Sequence, residues 1–490
     1  MSTSIPSNVD VIIFGTGLTN SILAAACSRI GKSVLHLDEN NYYGREWASF
    51  TFQQLIDWIK DKYPQDKSLE NVPEDLINKS RMFCIDLAPR FLFSNGDMVD
   101  LLVKSNVARY HEFKNNIRIL CSINDEIHVM PCRRNEVFTS ALLNNLADKR
   151  RLMKFIELCL KLDPDTMSPE ELESYNNIPI KQYLEQQGLK PTLQEYIINS
   201  IAMVKPFDTT LETCSKIKKF MIATERYGRS PFLFPLYGCG EFPQSFCRLS
   251  AVFGGLYCLN NRIKDIKVLP ETVDTAQPEG KKGFSVRFSD EDHLVTSDML
   301  VIEQADAIDL KLVNTKNIDH EHLSRAILFT KSSIVEMTDS DNASSSQEMA
   351  SFLRIPPSET NTNHVYLIEL NSSALVCPKE MHMVYLWTRS SSPDNPEGDL
   401  EPTVARLFKS KMDCVMWRFY YSQLITPEKR IDCQDSDTEN PQPGLFITNP
   451  ICDDIDYTNN IKEAERMFRL MCPGEEFLPR APDPDEIISV

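Results

Sequence analysis

Between Asp10 and Gly44 the chain reads DVIIFGTGLTNSILAAACSRIGKSVLHLDENNYYG, an order of strand, glycine turn, helix, strand and acidic residue that leaves few architectures open. The apolar run Val11 to Phe14 feeds into Gly15-Thr16-Gly17, where two glycines permit a tight turn and close approach by whatever lies above it. Leu18, Ile22, Ala26 and Ile30 recur every four residues, which predicts one helical face against a sheet, and Gly31 stands where a left-handed cap ends the helix. Ser33 to Leu37 is the next strand. Asp38 follows Gly17 by 21 residues, the place of the carboxylate that holds a ribose hydroxyl in a dinucleotide fold. One position disagrees with this βαβ cradle. The third glycine of G-x-G-x-x-G falls on Asn20, whose branched polar side chain obstructs both helix–strand packing and pyrophosphate access.

At 490 residues the chain can build two or three domains, and 42% hydrophobic with 25% charged residues excludes wholesale disorder. No apolar run approaches the roughly 18 residues of a membrane helix, and Met1 to Val9 lacks the regions of a signal peptide, so a cytosolic protein is expected. The 14 cysteines include no C-x-x-C pair, which points to buried free thiols rather than zinc or disulfides. No metal centre is expected from 8 mostly isolated histidines; His320-Glu321-His322 lacks zinc-site spacing and reads as a solvated turn. A net charge of −18 argues against nucleic acid or an anionic membrane as primary partner and suits either solubility or a basic protein partner.

The pattern of Trp47 to Lys62 is amphipathic and is followed by a polar loop containing a helical turn. Leu101 to Val107 reads as a helix, with Ile117 to Ser122 and Glu126 to Met130 as a hairpin turning at Asn124-Asp125. From Asn135 the texture becomes helical: Phe138 to Leu162, Ile180 to Gln187, Thr192 to Met203 and Thr209 to Arg226, punctuated by Pro164, Gly188 and Pro206. This predicts an all-helical domain, 133–226, inserted into a mixed α/β domain formed by 1–132 and 227–490. Strands are expected at Phe284 to Phe288, Met299 to Ile302, Ala326 to Phe329, His364 to Leu370 and Met381 to Thr388. Linkers are expected at Ser390 to Asp399 and Asp432 to Gly444, and a last helix at Asn460 to Met471 before a proline-rich acidic tail.

A second informative stretch is Arg226 to Leu259, RYGRSPFLFPLYGCGEFPQSFCRLSAVFGGLYCL, with five glycines and three prolines in 34 positions crowded with Phe and Tyr. Gly240 breaks the chain, Pro243 suits the first turn of a helix, and Phe246, Leu249 and Val252 would lie on its buried face. Glu241 then stands at the helix start. Arg248 comes seven residues later and projects from roughly the same side. On pattern alone such a pair is solvated decoration, and Tyr43 beside Tyr42 is a half-buried packing residue.

These two stretches together resemble the Rab GDP-dissociation inhibitor and Rab escort protein superfamily over nearly the whole chain. The escort branch is the nearer, on Trp47-Ala48-Ser49-Phe50 after the YYG, DKRRLMKF at Asp148 to Phe155, and the closing PDPDEII segment. The resemblance implies a mixed α/β fold akin to FAD-dependent oxidases, with the cofactor lost and Gly15, Gly17 and Asp38 left as vestiges. The C-terminal stretch Gly444 to Asp453, GLFITNPICD, also lacks a glycine before the acid where a flavoprotein would make its flavin contact. The family's Rab-binding platform maps onto Tyr43, Glu241 and Arg248, and more loosely Leu256 and Cys258. The family's YYGG is YYGR here, so Arg45 could add a charged contact or alter the backbone at the platform edge.

The resemblance further implies a transferase-docking pair on the first long helix, which aligns with Phe138 and Arg150, Arg151 remaining open as the guanidinium. The implied activity has no covalent step on this chain. A GDP-bound Rab GTPase would be held on domain I, its cysteine-bearing tail led to Rab geranylgeranyl transferase docked through its alpha subunit on domain II, and the geranylgeranyl lipid sheltered until transient membrane delivery. A GDP-dissociation inhibitor that recycles prenylated Rabs is the first alternative, a working FAD oxidase the second.

Overall fold

The computed structural model describes residues 5–123, 126–139, 145–272, 281–288, 293–312, 321–335, 350–359, 361–409, 411–425, 443–448 and 453–480. The strand Asn8–Phe14 lies at the centre of a first sheet, paired in parallel with Val34–Leu37 on one side and His293–Glu303 on the other. Its residues Val11 to Phe14 are wholly apolar because both faces of the sheet are covered. Leu256–Cys258 forms the edge beyond Val34–Leu37. On the far side, the first half of His293–Glu303 pairs antiparallel with Lys281–Phe288, itself beside Ile263–Thr272, while its last residues pair in parallel with Leu445–Thr448.

The helix Leu18–Arg29 starts at Gly17 and is buried all round from Leu18 to Ser28, not along one face. The cause is a second layer: helices Glu241–Val252 and Thr458–Met471 pack on it, and small residues admit them, Ser28 touching Ser250 at 2.8 Å and Ser21 touching Cys247 at 3.2 Å. Gly31 closes the helix at φ +82°, with Lys32 N–H bonded to the Cys27 carbonyl.

The second sheet runs in the order Val415–Ile425, Glu321–Thr330, His382–Arg389, Val365–Asn371, Ala350–Ile355, Ile117–Ile123, Glu126–Val129. It is antiparallel except between Ala350–Ile355 and Ile117–Ile123. Trp47 to Lys62 is not one element: Ser49–Phe50 is a short strand, and Thr51 then caps the helix Phe52–Lys62 through a capping box with Gln54. Phe52 anchors that helix on Phe329 and Trp417, ring centroids 5.3 and 5.4 Å away.

Among the described residues between 134 and 223 every element is helical. The expected helix Phe138 to Leu162 is divided into Arg134–Thr139 and Leu146–Lys161, with 140–144 outside the described residues. Pro169–Asn177, capped by Ser168, is an additional helix, and Pro191–Glu195 widens into a π-helical segment, Tyr196–Ala202. That segment and the turn after it are met from the sheet: Arg354 Nη1 donates to Ile198 O at 3.3 Å and Val204 O at 3.0 Å.

Several boundaries move for identifiable reasons. The helix expected at Leu101 to Val107 is Asp97–Lys104, begun after Gly96 and followed by a 3₁₀ turn, Val107–Tyr110. Ser390 to Asp399 is not all linker, since Asn395 caps a helix, Pro396–Leu407, that has proline in its first turn. Glu321 and His322 belong to a strand rather than a solvated turn, held by Arg389 and Ser422. The turn at 124–125, most of the linker at 432–444 and the acidic tail lie outside the described residues.

Candidate functional site

The glycine turn ends strand Asn8–Phe14 as a cofactor cradle would, but its space is taken by this chain's own side chains. Arg45 turns inward and is 6% exposed. Its guanidinium pairs with Glu303 at 3.0 Å, Asp306 at 2.5 Å and Asp38 at 3.4 Å, and lies 4.9 Å from the Phe14 ring centroid. A Cβ on Gly15 would stand 2.8 Å from both Arg45 Cζ and Glu303 Oε1, and one on Gly17 would stand 2.6 Å from Glu303 Oε1. The two glycines therefore admit an internal pair of side chains, Arg45 and Glu303, in the space a dinucleotide needs for its pyrophosphate.

Asp38 is equally committed. Its Oδ2 accepts from Thr16 N–H and Thr16 Oγ1, each at 2.6 Å, and its Oδ1 accepts from Asn40 N–H at 2.8 Å and Asn40 Nδ2 at 2.9 Å. No acceptor is left over for a ribose hydroxyl. Asn20 completes the closure, donating to the Phe14 carbonyl at 2.9 Å and accepting from Thr448 Oγ1 at 2.7 Å. Asp453 is drawn away to Arg389, 2.7 Å distant. The residues present do not fit a dinucleotide cofactor.

Burial pushes the Glu303 carboxyl up, to about 8, against the pull of Arg45, and raises Asp306 in the same way. A carboxyl whose pKa is higher in the folded chain contributes stability that is full below its ordinary value, 4.5, and is lost as pH rises through about 8. Replacing Glu303 with Gln should therefore flatten the fall in melting temperature across that window; thermal melts of wild type and Glu303→Gln at matched pH check it, and parallel profiles would refute it.

The expected platform residues cluster where the Tyr42-Tyr43-Gly44 turn meets helix Glu241–Val252. Gly44, at φ +97°, donates to Thr16 Oγ1 at 2.9 Å, and a Cβ there would stand 3.2 Å from Pro243 Cγ. Half-buried Tyr43 packs against Tyr257, ring centroids 6.0 Å apart. Ahead of the helix, buried Asp86 accepts from Cys239 N–H at 2.8 Å and Ser49 Oγ accepts from Gly240 N–H at 2.8 Å, which satisfies donors at the helix N-terminus. Glu241, Gln244, Arg248, Ala251 and Val252 form the outward stripe of the helix. Arg248 is exposed, with its guanidinium 4.5 Å from the Tyr110 ring centroid.

Two platform expectations change. Val252 is 67% exposed instead of buried, because six residues at 100° each carry it 120° away from Phe246. In the edge strand the alternation turns Tyr257 toward Tyr43, whereas Leu256 and Cys258 pack against the core on the opposite face of the sheet, with Leu35 and Leu37. Tyr257 and Tyr110 were not picked out from sequence; period-two alternation through LYC marks the first, and nothing local marks the second.

In the helical region, Phe138 is 42% exposed on Arg134–Thr139, a separate short helix rather than the long one. It still lies beside the basic run: Lys149 Nζ donates to the Phe138 carbonyl at 2.6 Å. Arg150 is exposed and makes no ion pair with a described residue, while Arg151 is held by Asp148 at 3.2 Å. Asp148 is also met by Lys190 at 2.7 Å.

A family model described as GDP dissociation inhibitor matches residues 5–422. The Rab proteins geranylgeranyltransferase component A of Drosophila melanogaster is 32% identical, over 100% of this chain and 93% of that protein. Among solved structures, a Rab GDI from Plasmodium falciparum is similar at TM-score 0.73 and 20% identity, covering 96% of this chain and 100% of that one. An oxidoreductase from Methanosarcina mazei shares the fold at TM-score 0.57 and 12% identity, covering 94% and 100%. The oxidase-like architecture with its blocked cradle, the tyrosine turn set against helix Glu241–Val252 and a family match over most of the length lead to one assignment: the chain belongs to the GDP dissociation inhibitor family.

Proposed function

We propose that this chain is a Rab escort protein, the non-catalytic accessory component A of Rab geranylgeranyl transferase. The observation that carries this reading is the full-length similarity to a protein named as component A. The filled cradle supports a role without redox chemistry. A GDP-bound Rab GTPase sits on the surface formed by Tyr43, Glu241 and Arg248, and Leu256 and Cys258 support its edge strand from the core side. The span 133–226 serves as the helical domain that docks the transferase through Phe138 and Arg150, and 1–132 with 227–490 as the Rab-binding domain. Arg150 is the better guanidinium of the two because Arg151 is already paired with Asp148.

The escort then leads the flexible Rab tail to the transferase, shelters the geranylgeranyl chain and delivers it to a membrane from the cytosol. Burying a prenyl chain is worth roughly 0.8 kcal/mol per CH₂, so a carrier must supply apolar surface. Among the described residues no helix is long and apolar enough to cross a membrane. Reconstitution separates this reading from a GDP-dissociation inhibitor, which the family match also accommodates. Unmodified GDP-bound Rab, transferase and geranylgeranyl diphosphate are combined with and without this protein. Prenylation only in its presence is expected; prenylation at background would leave the inhibitor reading in its place.

A further inference from the structure

We infer that Arg45 is a positioning residue for the Rab-binding surface, acting through Tyr43 from the seat that a dinucleotide's pyrophosphate would need. The inference rests on the reading of Tyr43 as a Rab contact. Gly44 and Arg45 are both left-handed, at φ +97° and +48°, and the second is a conformation in which a long side chain persists only when its surroundings over-determine it. Those surroundings are present. The guanidinium reaches Asp38 after strand Val34–Leu37, Glu303 at the end of strand His293–Glu303, and Asp306 in the helix that follows, at 3.4, 3.0 and 2.5 Å. The neighbouring backbone is pinned to the same carboxylate, since Thr16 Oγ1 accepts from Gly44 N–H at 2.9 Å and donates to Asp38 at 2.6 Å.

Residues 44 and 45 are thus fastened to the C-terminal ends of two parallel strands, and Tyr43 is the next residue out, half-buried against Tyr257. The guanidinium meets the three carboxylates from two separate nitrogens, Nε for Asp38 and Nη1 for Glu303 and Asp306; an ammonium would have to reach all three from one nitrogen, and an apolar chain meets none. Loss of Arg45 would release the turn and leave Tyr43 to sample positions off the surface.

The test is a double-mutant cycle read by titration with GDP-bound Rab, using wild type, Tyr43→Ala, Arg45→Met/Glu303→Gln, and the triple variant. Glu303→Gln removes one of the carboxylates that Arg45→Met alone would strand; Asp38 keeps its donors from Thr16 and Asn40, and Asp306 is the most exposed of the three, at 15%. Arg45→Lys is a second variant that retains the charge. Arg45→Met/Glu303→Gln is expected to bind about tenfold more weakly than wild type, and Arg45→Lys weaker by a smaller factor. In the Tyr43→Ala background the Arg45 change should cost less than about twofold, because its effect passes through Tyr43. Wild-type affinity in both Arg45 variants, or losses that multiply in the triple variant, would overturn the positioning role while leaving the platform standing. Unchanged affinity in Tyr43→Ala would remove the platform reading itself, and the inference with it.

Discussion

Phe138→Ala is expected to weaken transferase binding strongly while Rab affinity stays within about twofold, because an aromatic anchor buried in an interface commonly supplies about 2 kcal/mol or more. That is a factor of roughly 30 in Kd. The side chain is 42% exposed and sits on a six-residue helix, so truncation opens no core cavity. The helix is attached to the long helix by the bond from Lys149 Nζ to the Phe138 carbonyl, which the substitution leaves intact. Arg150→Ala should weaken the same association, and Arg151→Ala should do so less, since Arg151 is committed to Asp148 at 3.2 Å. Separate titrations with transferase and with GDP-bound Rab measure both. A parallel loss of the two affinities would point to misfolding and take Phe138 off the docking surface.

The βαβ opening was legible because its signals are local. An apolar run, two glycines and a helix stop lie within some two dozen residues, and each answers to a short-range rule. What fills the cradle was not legible, although Asn20 announced that something had changed. Arg45 meets Glu303 and Asp306 across 258 and 261 residues of sequence, and no pattern at residue 45 says which way a guanidinium will turn. A glycine replaced by arginine in YYGR reads as a surface charge. It becomes an internal plug only because a strand end and a helix start from the far half of the chain arrive there.

The same limit explains the missed strands. Ala350–Ile355 is buried throughout yet carries Ser351 and Arg354. Those polar groups are tolerable because Glu369 accepts from Ser351 Oγ at 3.1 Å and the Ile198 and Val204 carbonyls accept from Arg354. Val415–Ile425, by contrast, alternates in burial along most of its length and carries a period-two signal hidden by its many polar and aromatic residues. On helix Glu241–Val252, spacing placed Glu241 and Arg248 on one side correctly, since seven residues return nearly to the same angle. The stepping by three that chose Val252 drifts around the axis. Tyr257 and Tyr110 come from other segments, and only folding puts them beside Tyr43 and Arg248.

Arg248→Ala should weaken the binding of GDP-bound Rab by about tenfold or more, as expected for a central guanidinium in an interface. The residue is exposed, and in the free protein its guanidinium lies over the Tyr110 ring, Cζ 4.5 Å from the centroid. An exposed cation–π contact is worth about 0.5–1 kcal/mol, so melting should shift by only a few degrees while affinity falls. The contact also restrains the guanidinium before Rab arrives, which lowers the entropy lost on binding. Two further variants separate charge from preorganisation. Arg248→Lys keeps the charge but loses the planar fork and should fall between wild type and alanine. Tyr110→Ala keeps Arg248 but frees it, and should cost about threefold to tenfold if ordering matters. Calorimetric titration against one Rab measures all three. Wild-type affinity in Arg248→Ala would remove the residue from the surface, and wild-type affinity in Tyr110→Ala alone would leave Arg248 as a contact whose orientation Rab itself imposes.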